Sequence, residues 1–211
     1  MPVLSFDFTW YRDPKGYRLI PAKPLALRKG QSIRDASPDD IQPARIVRNG
    51  GALQSYKPLV DEFLSSRVVE EFMAAASEQG MLKFVEKFGP LTRDGLRGKG
   101  EIVSALIDQA KDMEEVIHGR IIATPLNKLN AAIISDSNRL RLKVSPANLL
   151  DALWLQLAQS SRNSFRRCLQ CGKSFVIGSG LRRTDAKFCS DDCRIAFNSL
   201  RRSKIDREDR P

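Results

Sequence analysis

Four cysteines near the C-terminus have the spacing of a metal site. Cys168-x-x-Cys171 is followed directly by Gly172, and a second pair, Cys189-x-x-x-Cys193, comes later in the chain. A Cys-x-x-Cys turn presents two sulfurs from one tight loop, and cysteines at i and i+4 present two more from one face of a helix. Four thiolates are a tetrahedral ligand set for Zn²⁺. The spacing predicts one structural zinc ion with no coordination position left open for catalysis.

Three other uses of four cysteines stay open at this point. Free buried thiols need no ligand, and two disulfides suit a secreted protein. An iron–sulfur cluster also takes four cysteines, although its usual spacings differ from these. Zinc is the favoured interpretation because the pair of spacings fits a single tetrahedral ion best.

The histidine content argues against catalysis at this metal. Zinc nucleases of comparable layout need a histidine general base beside the ion, but the only histidine of the chain is His118, far upstream. We expect His118 to be a surface or capping residue at the end of a helix. No nucleophile–base set is found elsewhere, so the sequence predicts that the chain is not an enzyme.

Positive charge is concentrated in the same region as the cysteines. The chain has a formal net charge of +10 at pH 7 and an isoelectric point near 9.7. Residues 161–211 carry 13 Lys and Arg against 6 Asp and Glu, so about +7 lies there and +3 in the first 160 residues. An arginine-rich region beside a metal site favours a nucleic-acid partner, with DNA as the leading candidate.

The helix predicted after Cys189 has two different faces. On a helical wheel Phe197 and Leu200 lie on the side of Cys193, whereas arginines gather on another side. Arginine forks bind phosphates, and Asn can read base edges in the major groove. A solvated charged face and a contact with an acidic protein are the alternatives. The predicted nucleic-acid contacts are Arg182, Arg183, Arg194, Asn198, Arg201 and Arg202.

The elements that position these residues are predicted to form an α+β chain. A mostly helical N-terminal body with short strands and a hairpin spans 1–160, β-rich over 1–56 and helical over 57–160. A small C-terminal treble-clef zinc finger spans 161–211: knuckle, hairpin through Phe175 to Phe188, then helix.

Within the body, local patterns predict individual elements. Alternating apolar residues up to Trp10, the turn 13–16 and the run 17–20 predict two strands joined by a turn. Apolar residues at helical spacing predict a helix from Pro58 that Gly80 ends.

A second helix is predicted over 82–88, ended by Gly89-Pro90, and 89–100 is predicted to be a loop. A further helix is expected over 101–119 with Ile102 on its apolar side.

The end of the body is predicted as a hairpin followed by a buried helix. The runs 130–134 and 140–144 flank a turn of small polar residues. Ser145-Pro146 is expected to open the helix as N-cap and first helical residue. The helix over 147–160 is apolar on almost every side, which predicts burial.

The region around the cysteines contains Cys168-x-x-Cys171-Gly172, Phe175, Arg183-x-Asp185, Phe188-Cys189-Ser190 and Cys193-Arg194. With these residues it resembles the bacterial CGNR-type zinc-finger proteins, which end in a treble-clef finger. In place of that family's Cys-Gly-Asn-Arg signature this chain has Cys193-Arg194-Ile195-Ala196. The resemblance implies a bacterial transcriptional regulator whose N-terminal body binds an unknown small molecule or protein.

Hydropathy gives no sign of a membrane partner. No apolar run approaches the ~18 residues of a membrane span. The N-terminus, with Asp7 inside its apolar stretch, lacks the layout of a signal peptide. The sequence therefore predicts a soluble, cytoplasmic protein.

Overall fold

The chain folds as two compact units, Met1–Gln159 and Ser160–Pro211, hereafter the first and the second unit. The architecture is mixed α+β, with helices and small antiparallel sheets. The structure is a computed structural model, and it describes residues 8–24, 41–59, 62–118, 129–136, 139–159, 165–178 and 182–208. Side chains are described for 8–23, 41–59, 67–118, 146–158, 165–178 and 182–201.

Short strands and helices build the first unit. Its strands are β1 (Trp10–Arg12), β2 (Tyr17–Ile20), β3 (Lys23–Pro24), β4 (Ile41–Gln42), β5 (Arg45–Arg48), β6 (Gln54–Tyr56), β7 (Glu101–Ile102), β8 (Leu129–Asp136) and β9 (Arg139–Pro146). Its helices are α1 (Glu62–Ala74), α2 (Glu78–Phe88), α3 (Arg93–Leu96), α4 (Val103–Ile117) and α5 (Leu149–Gln159).

The strand β2 stands where the sequence predicts it, after the turn 13–16. Most of the strand predicted up to Trp10 lies outside the described residues, and β1 begins only at Trp10. The Gly16 N–H donates to the Asp13 carbonyl over 2.9 Å, and Gly16 has a positive φ of 76°. The two strands do not pair with each other, however, because β1 pairs with β6 and β2 pairs with β5, which also pairs with β7.

The boundary between the first two helices differs from the prediction. The expected stop at Gly80 is wrong: α1 ends at Ala74, and Gly80 lies in the first turn of α2. Ser77 explains the difference, because its Oγ accepts the Gly80 N–H over 3.1 Å and caps the new helix. The predicted end of α2 is confirmed, with Gly89 at φ 76° donating its N–H to the Val85 carbonyl.

The segment after α2 also corrects two predictions. The expected loop 89–100 contains the short helix α3, capped by the Thr92 Oγ1, which accepts the Gly95 N–H over 3.2 Å. Ile102 is not on the apolar side of a helix: it belongs to β7 and is 38% exposed. The helix begins one residue later, and pairing of β7 with β5 keeps Ile102 extended.

The hairpin and the buried helix at the end of the first unit are confirmed. β8 and β9 pair antiparallel with Asp136 opposite Arg139. The predicted N-cap is wrong, because Pro146 ends β9 and the Asn148 Oδ1 caps α5 by accepting the Asp151 N–H over 2.8 Å. Leu149 and Leu153 on α5 are fully buried.

The core of the first unit is built from α1, α2, α4 and α5. Phe84 joins two aromatic neighbours, with ring centroids 5.2 Å from Phe72 and 4.7 Å from Phe88. Its largest fully buried side chains include Phe72, Met81, Val85, Leu91, Val103, Met113, Leu149 and Leu153.

A buried ion pair fixes the turn after β1 to β5 and to α3. The buried Asp13 carboxylate accepts the N–H groups of Lys15 and Gly51, each over 2.9 Å, and lies 3.3 Å from the Arg48 Nε. Arg48 also donates to the Leu96 carbonyl over 2.7 Å. Burial raises the pKa of Asp13, but these hydrogen bonds and the Arg48 charge outweigh it and hold the pKa below its ordinary value.

The second unit is built on one strand pair and one helix. β10 (Phe165–Arg167) pairs antiparallel with β11 (Ser174–Val176), and α6 spans Asp191–Glu208. The predicted hairpin from 175 to 188 is wrong for the described residues, which form no strand after β11, because β11 pairs back onto β10 across the cysteine turn. Among the residues that the structure describes, no helix is long and apolar enough to cross a membrane.

Candidate metal centre

The four cysteines of the second unit converge on one point. Their sulfur atoms all lie within 4.8 Å of one another. The Cys189 Sγ is 3.6 Å from the Cys171 Sγ and 3.5 Å from the Cys193 Sγ. A disulfide would need about 2.05 Å, and all four cysteines are free. The cluster Cys168, Cys171, Cys189 and Cys193 therefore has the composition and spacing to hold one metal ion.

The strands β10 and β11 position the first cysteine pair. Between them the Cys168 N–H donates to the Lys173 carbonyl over 2.9 Å, and the Gly172 N–H donates to the Cys168 carbonyl over 3.0 Å. Gly172 has a φ of +73°, which glycine adopts without the strain of a side chain. The Arg167 Nε donates to the Gly172 carbonyl over 2.8 Å and closes the turn from outside. The result is a tight loop that carries two sulfurs.

The start of α6 positions the second pair. The Ser190 Oγ accepts the Cys193 N–H over 3.2 Å, so Ser190 acts as the N-cap between the two cysteines. Asp191 and Asp192 occupy the first turn, where carboxylates suit the positive end of the helix dipole. One backbone bond, from the Leu169 N–H to the Lys187 carbonyl over 3.1 Å, joins the loop of the first pair to the approach to the second.

A small apolar core supports the cluster on one side. It is made of Cys168, Phe175 and Ile177, with Phe188 packed against it. Cys168 is only 3% exposed, whereas Cys171 is exposed to solvent. The cluster thus has a buried side and an open side.

The electrostatics of four adjacent thiols favour a cation between them. Burial raises the pKa of Cys168, but backbone N–H groups, including those of Cys171 and Cys189, outweigh it and lower that pKa to about 6. Burial and the neighbouring sulfurs raise the pKa of Cys189 to about 12. Without a cation the second and later thiols resist ionisation, so a divalent metal ion is what would stabilise four thiolates here.

Two of the predicted nucleic-acid contacts lie between β11 and α6 and have partners within the chain. Arg182 donates to the Val176 carbonyl over 3.2 Å, and its guanidinium carbon lies 5.3 Å from the centre of the Phe175 ring. Both contacts therefore place the Arg182 side chain against the small apolar core of the second unit. Arg183 is exposed and forms an ion pair of 3.3 Å with Asp185.

The remaining predicted contacts lie on α6. Arg194 lies 3.0 Å from the Asp191 Oδ1, while Asn198 and Arg201 are exposed. Arg202 belongs to α6, but its side chain is outside the described part of the chain.

The predicted inner face of α6 is confirmed in one position and wrong in another. The Phe197 ring packs 5.2 Å from that of Phe188, as expected of a residue on the Cys193 side. Leu200 is 56% exposed instead of buried, because it lies two turns beyond the cluster, past the residues of the small core.

His118 is far from the cluster in sequence and belongs to the first unit. It is the C-cap of α4, and its Nε2 lies 3.3 Å from the Glu114 Oε1. The prediction of a capping residue is confirmed.

Sequence reasoning missed the buried groups of the first unit. Glu101 is 3% exposed, and its Oε1 accepts the Thr92 N–H over 2.5 Å, while its Oε2 has no hydrogen-bond partner among the described residues. A lone glutamate between a loop and a helix gives no signal of burial in sequence.

Comparison of the chain with protein-family models, with curated proteins and with solved structures finds no match. The description of the centre therefore rests on the residues of this chain alone. Four sulfurs lie on a loop and at the start of a helix, beside a small apolar core. Exposed arginines lie in the same unit.

Proposed function

We propose that the second unit is a treble-clef zinc finger of the CGNR-like type, and that the chain is a cytoplasmic DNA-binding regulator. The observation that carries the metal assignment is the convergence of four sulfurs within 4.8 Å. A tetrahedral ion with Zn–S bonds of about 2.3 Å places its sulfurs about 3.8 Å apart. The separations of 3.5 and 3.6 Å are close to that value.

The same spacing supports a single ion over a cluster of irons. An iron–sulfur cluster places several atoms between its cysteines and holds their sulfurs farther apart than one ion does. Four protein ligands complete the coordination of zinc, which supports a structural role. Bound zinc would fix the loop of Cys168 and Cys171 to the start of α6 and so hold the orientation of that helix.

The charge of the second unit supports a polyanionic partner. Residues 160–211 have a net charge of about +7. Four thiolates and one Zn²⁺ together carry −2, so the loaded unit remains at about +5. Arg166 on β10 and Arg201 on α6 are exposed, and Asn198 is exposed one turn before Arg201. These residues supply phosphate contacts and one group able to read a base edge.

The ion pairs of Arg183 and Arg194 leave both side chains available for phosphate. Arg183 and Asp185 are 88% and 72% exposed, and Arg194 and Asp191 are also exposed. Exposed pairs of this kind contribute only about 0–1 kcal/mol, so a phosphate can displace the carboxylate at small cost. DNA contact does not require these arginines to be unpaired beforehand.

We expect the zinc-loaded chain to bind a mixed-sequence duplex with an affinity that falls steeply between about 50 and 200 mM salt. Arg194→Gln with Arg201→Gln removes two phosphate contacts. We therefore expect at least a tenfold loss of affinity and a salt slope smaller by about 2. Fluorescence anisotropy of a labelled duplex measures both quantities.

The matched control is Arg18→Gln with Lys83→Gln, which removes the same charge from exposed positions of the first unit. Equal weakening by the two double variants would contradict the interface on α6. Undetectable binding, or binding that does not change with salt, would contradict the DNA-binding function itself.

One observation favours a second candidate, a protein-interaction module that zinc holds together. Leu169 is 58% exposed, and Ile195 and Leu200 are each 56% exposed, so the second unit shows apolar side chains beside its charged ones. Capture of a partner that is lost with Ile195→Ser and kept with Arg201→Gln would support this candidate.

A further inference from the structure

We propose that a cavity in the first unit binds a small aromatic anion, a planar apolar ring bearing an oxyanion such as a carboxylate. The cavity has a volume of about 430 Å³, within the range of small-molecule sites. One wall comes from the segment that enters β1, and another comes from α3. This site is separate from the cysteine cluster, and the proposal goes beyond the DNA-binding function. The lining of the cavity includes Phe8, Trp10, Tyr11, Arg93, Arg97 and Ala147.

The first wall offers an aromatic surface that is already fixed in place. The Trp10 indole N–H donates to the Pro90 carbonyl over 2.5 Å. Its ring stacks on Phe8 with centroids 5.5 Å apart and planes 19° apart, and the Tyr11 ring lies 6.4 Å away. Tyr11 is 40% exposed. A planar ligand ring would cover Tyr11 without reordering Trp10.

The second wall offers two positive charges. Arg93 and Arg97 lie one turn apart on and just after α3, and both line the cavity. The Arg93 Nε donates to the Ala147 carbonyl over 3.0 Å, which anchors that side chain across the cavity. The Arg97 guanidinium has no ion pair with any described residue. None of the lining residues is acidic, so the described part of the cavity wall carries two cationic side chains.

Contacts with neighbouring segments of the first unit fix the position of α3. Arg48 donates to the Leu96 carbonyl, and the Thr92 side chain caps the helix start. Gly95 packs so closely that an added Cβ would lie 2.6 Å from the Glu101 Cγ and 2.7 Å from the Pro90 Cβ. The cationic wall therefore has a defined position relative to the aromatic wall, as a preformed site requires.

The combination selects the class of ligand. Apolar rings alone would take a neutral compound, and arginines alone would take inorganic anions. A site with both walls facing one space favours a molecule that has a ring at one end and an oxyanion at the other. Arginine forks fit carboxylate and phosphate alike, so the two groups are separated by experiment.

The test uses indole N–H signals in the ¹H–¹⁵N spectrum of the full-length, zinc-loaded chain. The chain has two tryptophans, Trp10 in the cavity wall and Trp154 on α5, which donates to the Gln109 Oε1 outside the lining. Trp154→Phe assigns the two signals. Titration with 2-naphthoate is expected to shift the Trp10 signal saturably and to leave Trp154 in place.

Charge recognition is tested with matched ligands and variants. We expect 2-naphthamide, which lacks the charge, and Arg97→Gln to weaken binding about tenfold each, whereas Arg18→Gln on β2 leaves it unchanged. Saturable binding of 2-naphthoate or of 2-naphthyl phosphate supports the site, and the tighter of the two identifies the oxyanion. The proposal is overturned if neither anion shifts Trp10 at millimolar concentration, if both indole signals move together, or if naphthamide or Arg97→Gln binds as tightly as the reference.

Discussion

Cys171→Ser is expected to release the metal and to unfold the second unit while the first unit stays folded. The second unit has a small core of Cys168, Phe175 and Ile177, with Phe188 packed partly against it. A core of that size does not offset the conformational entropy of about fifty residues, so metal binding has to supply the remaining free energy. Serine keeps the size of cysteine but removes the soft thiolate ligand.

The expected result has two readouts. Metal analysis of the purified wild-type chain should give about one zinc ion per chain, and the variant should give close to none. Hydrogen exchange should show loss of protection over β10 and β11, while the helices of the first unit keep theirs. A chelator added to the wild-type chain should reproduce the same pattern.

Ser190→Ala is the matched control for this experiment. It stands next to Cys189 and removes the cap of α6 without touching a ligand, which costs about 1 kcal/mol. We expect this variant to keep its zinc. Zinc retained by Cys171→Ser, or protection of β10 and β11 that survives chelation, would contradict the structural role of the metal.

The second large effect is a loss of stability with rising pH that Glu101→Gln removes. Glu101 is 3% exposed, and no residue that the structure describes forms a hydrogen bond with its Oε2. Burial raises its pKa from 4.5 to about 7, against the opposing effect of hydrogen bonds from Leu91 and Thr92. The folded state therefore keeps a proton that the unfolded chain has already lost between these two values.

The sign follows from proton counts. Between about pH 4.5 and pH 7 the folded state binds one proton more than the unfolded state at this site, so the free energy of unfolding falls as the pH rises. The difference between the two pKa values corresponds to about 3 kcal/mol in total. Below pH 4.5 both states are protonated, and above pH 7 both are ionised, so the effect is confined to that window. Asp13, whose pKa is lowered, acts in the opposite sense only at more acidic pH.

Urea unfolding from pH 5 to pH 8 measures the effect. Both tryptophans, Trp10 and Trp154, lie in the first unit, so their fluorescence reports its unfolding alone. Relative to the wild type, Glu101→Gln should gain roughly 2 to 3 kcal/mol on going from the acidic to the alkaline end, because most of the window lies above pH 5. Glu86→Gln, an exposed position on α2, is the control and should follow the wild type. Parallel curves for wild type and Glu101→Gln would show that Glu101 keeps an ordinary pKa.

What could be predicted from the sequence depended on the range of the interaction. The four sulfurs meet because their spacing sets local geometry on a loop and a helix end, and both are visible in the chain. The C-terminal end of α2 and the burial of α5 likewise follow from local patterns. The Arg194–Asp191 pair lies within one helical turn, so its signal was present in sequence and was overlooked.

The predictions that are wrong concern residues for which two local structures compete, and the sequence alone does not show which of the two is more stable. Gly80 has the residue type of a helix end, but the cap from Ser77 starts α2 at Glu78, so Gly80 lies inside that helix. Ile102 fitted a helical stripe, but pairing of β7 with β5 was the stronger constraint. Asp13 and Arg48 are far apart in sequence, and the cavity joins residues from three distant segments. Contacts of that range follow from the assembled fold.

The unequal burial of the four sulfurs sets an order in which oxidants or alkylating reagents reach them. Cys171 is exposed, Cys189 and Cys193 are partly covered, and Cys168 is buried. A reagent arriving from solvent meets Cys171 first, whereas the apolar core shields the Cys168 sulfur from direct approach. The side of the centre that a reagent can approach is therefore not the side that carries its most acidic thiol, Cys168.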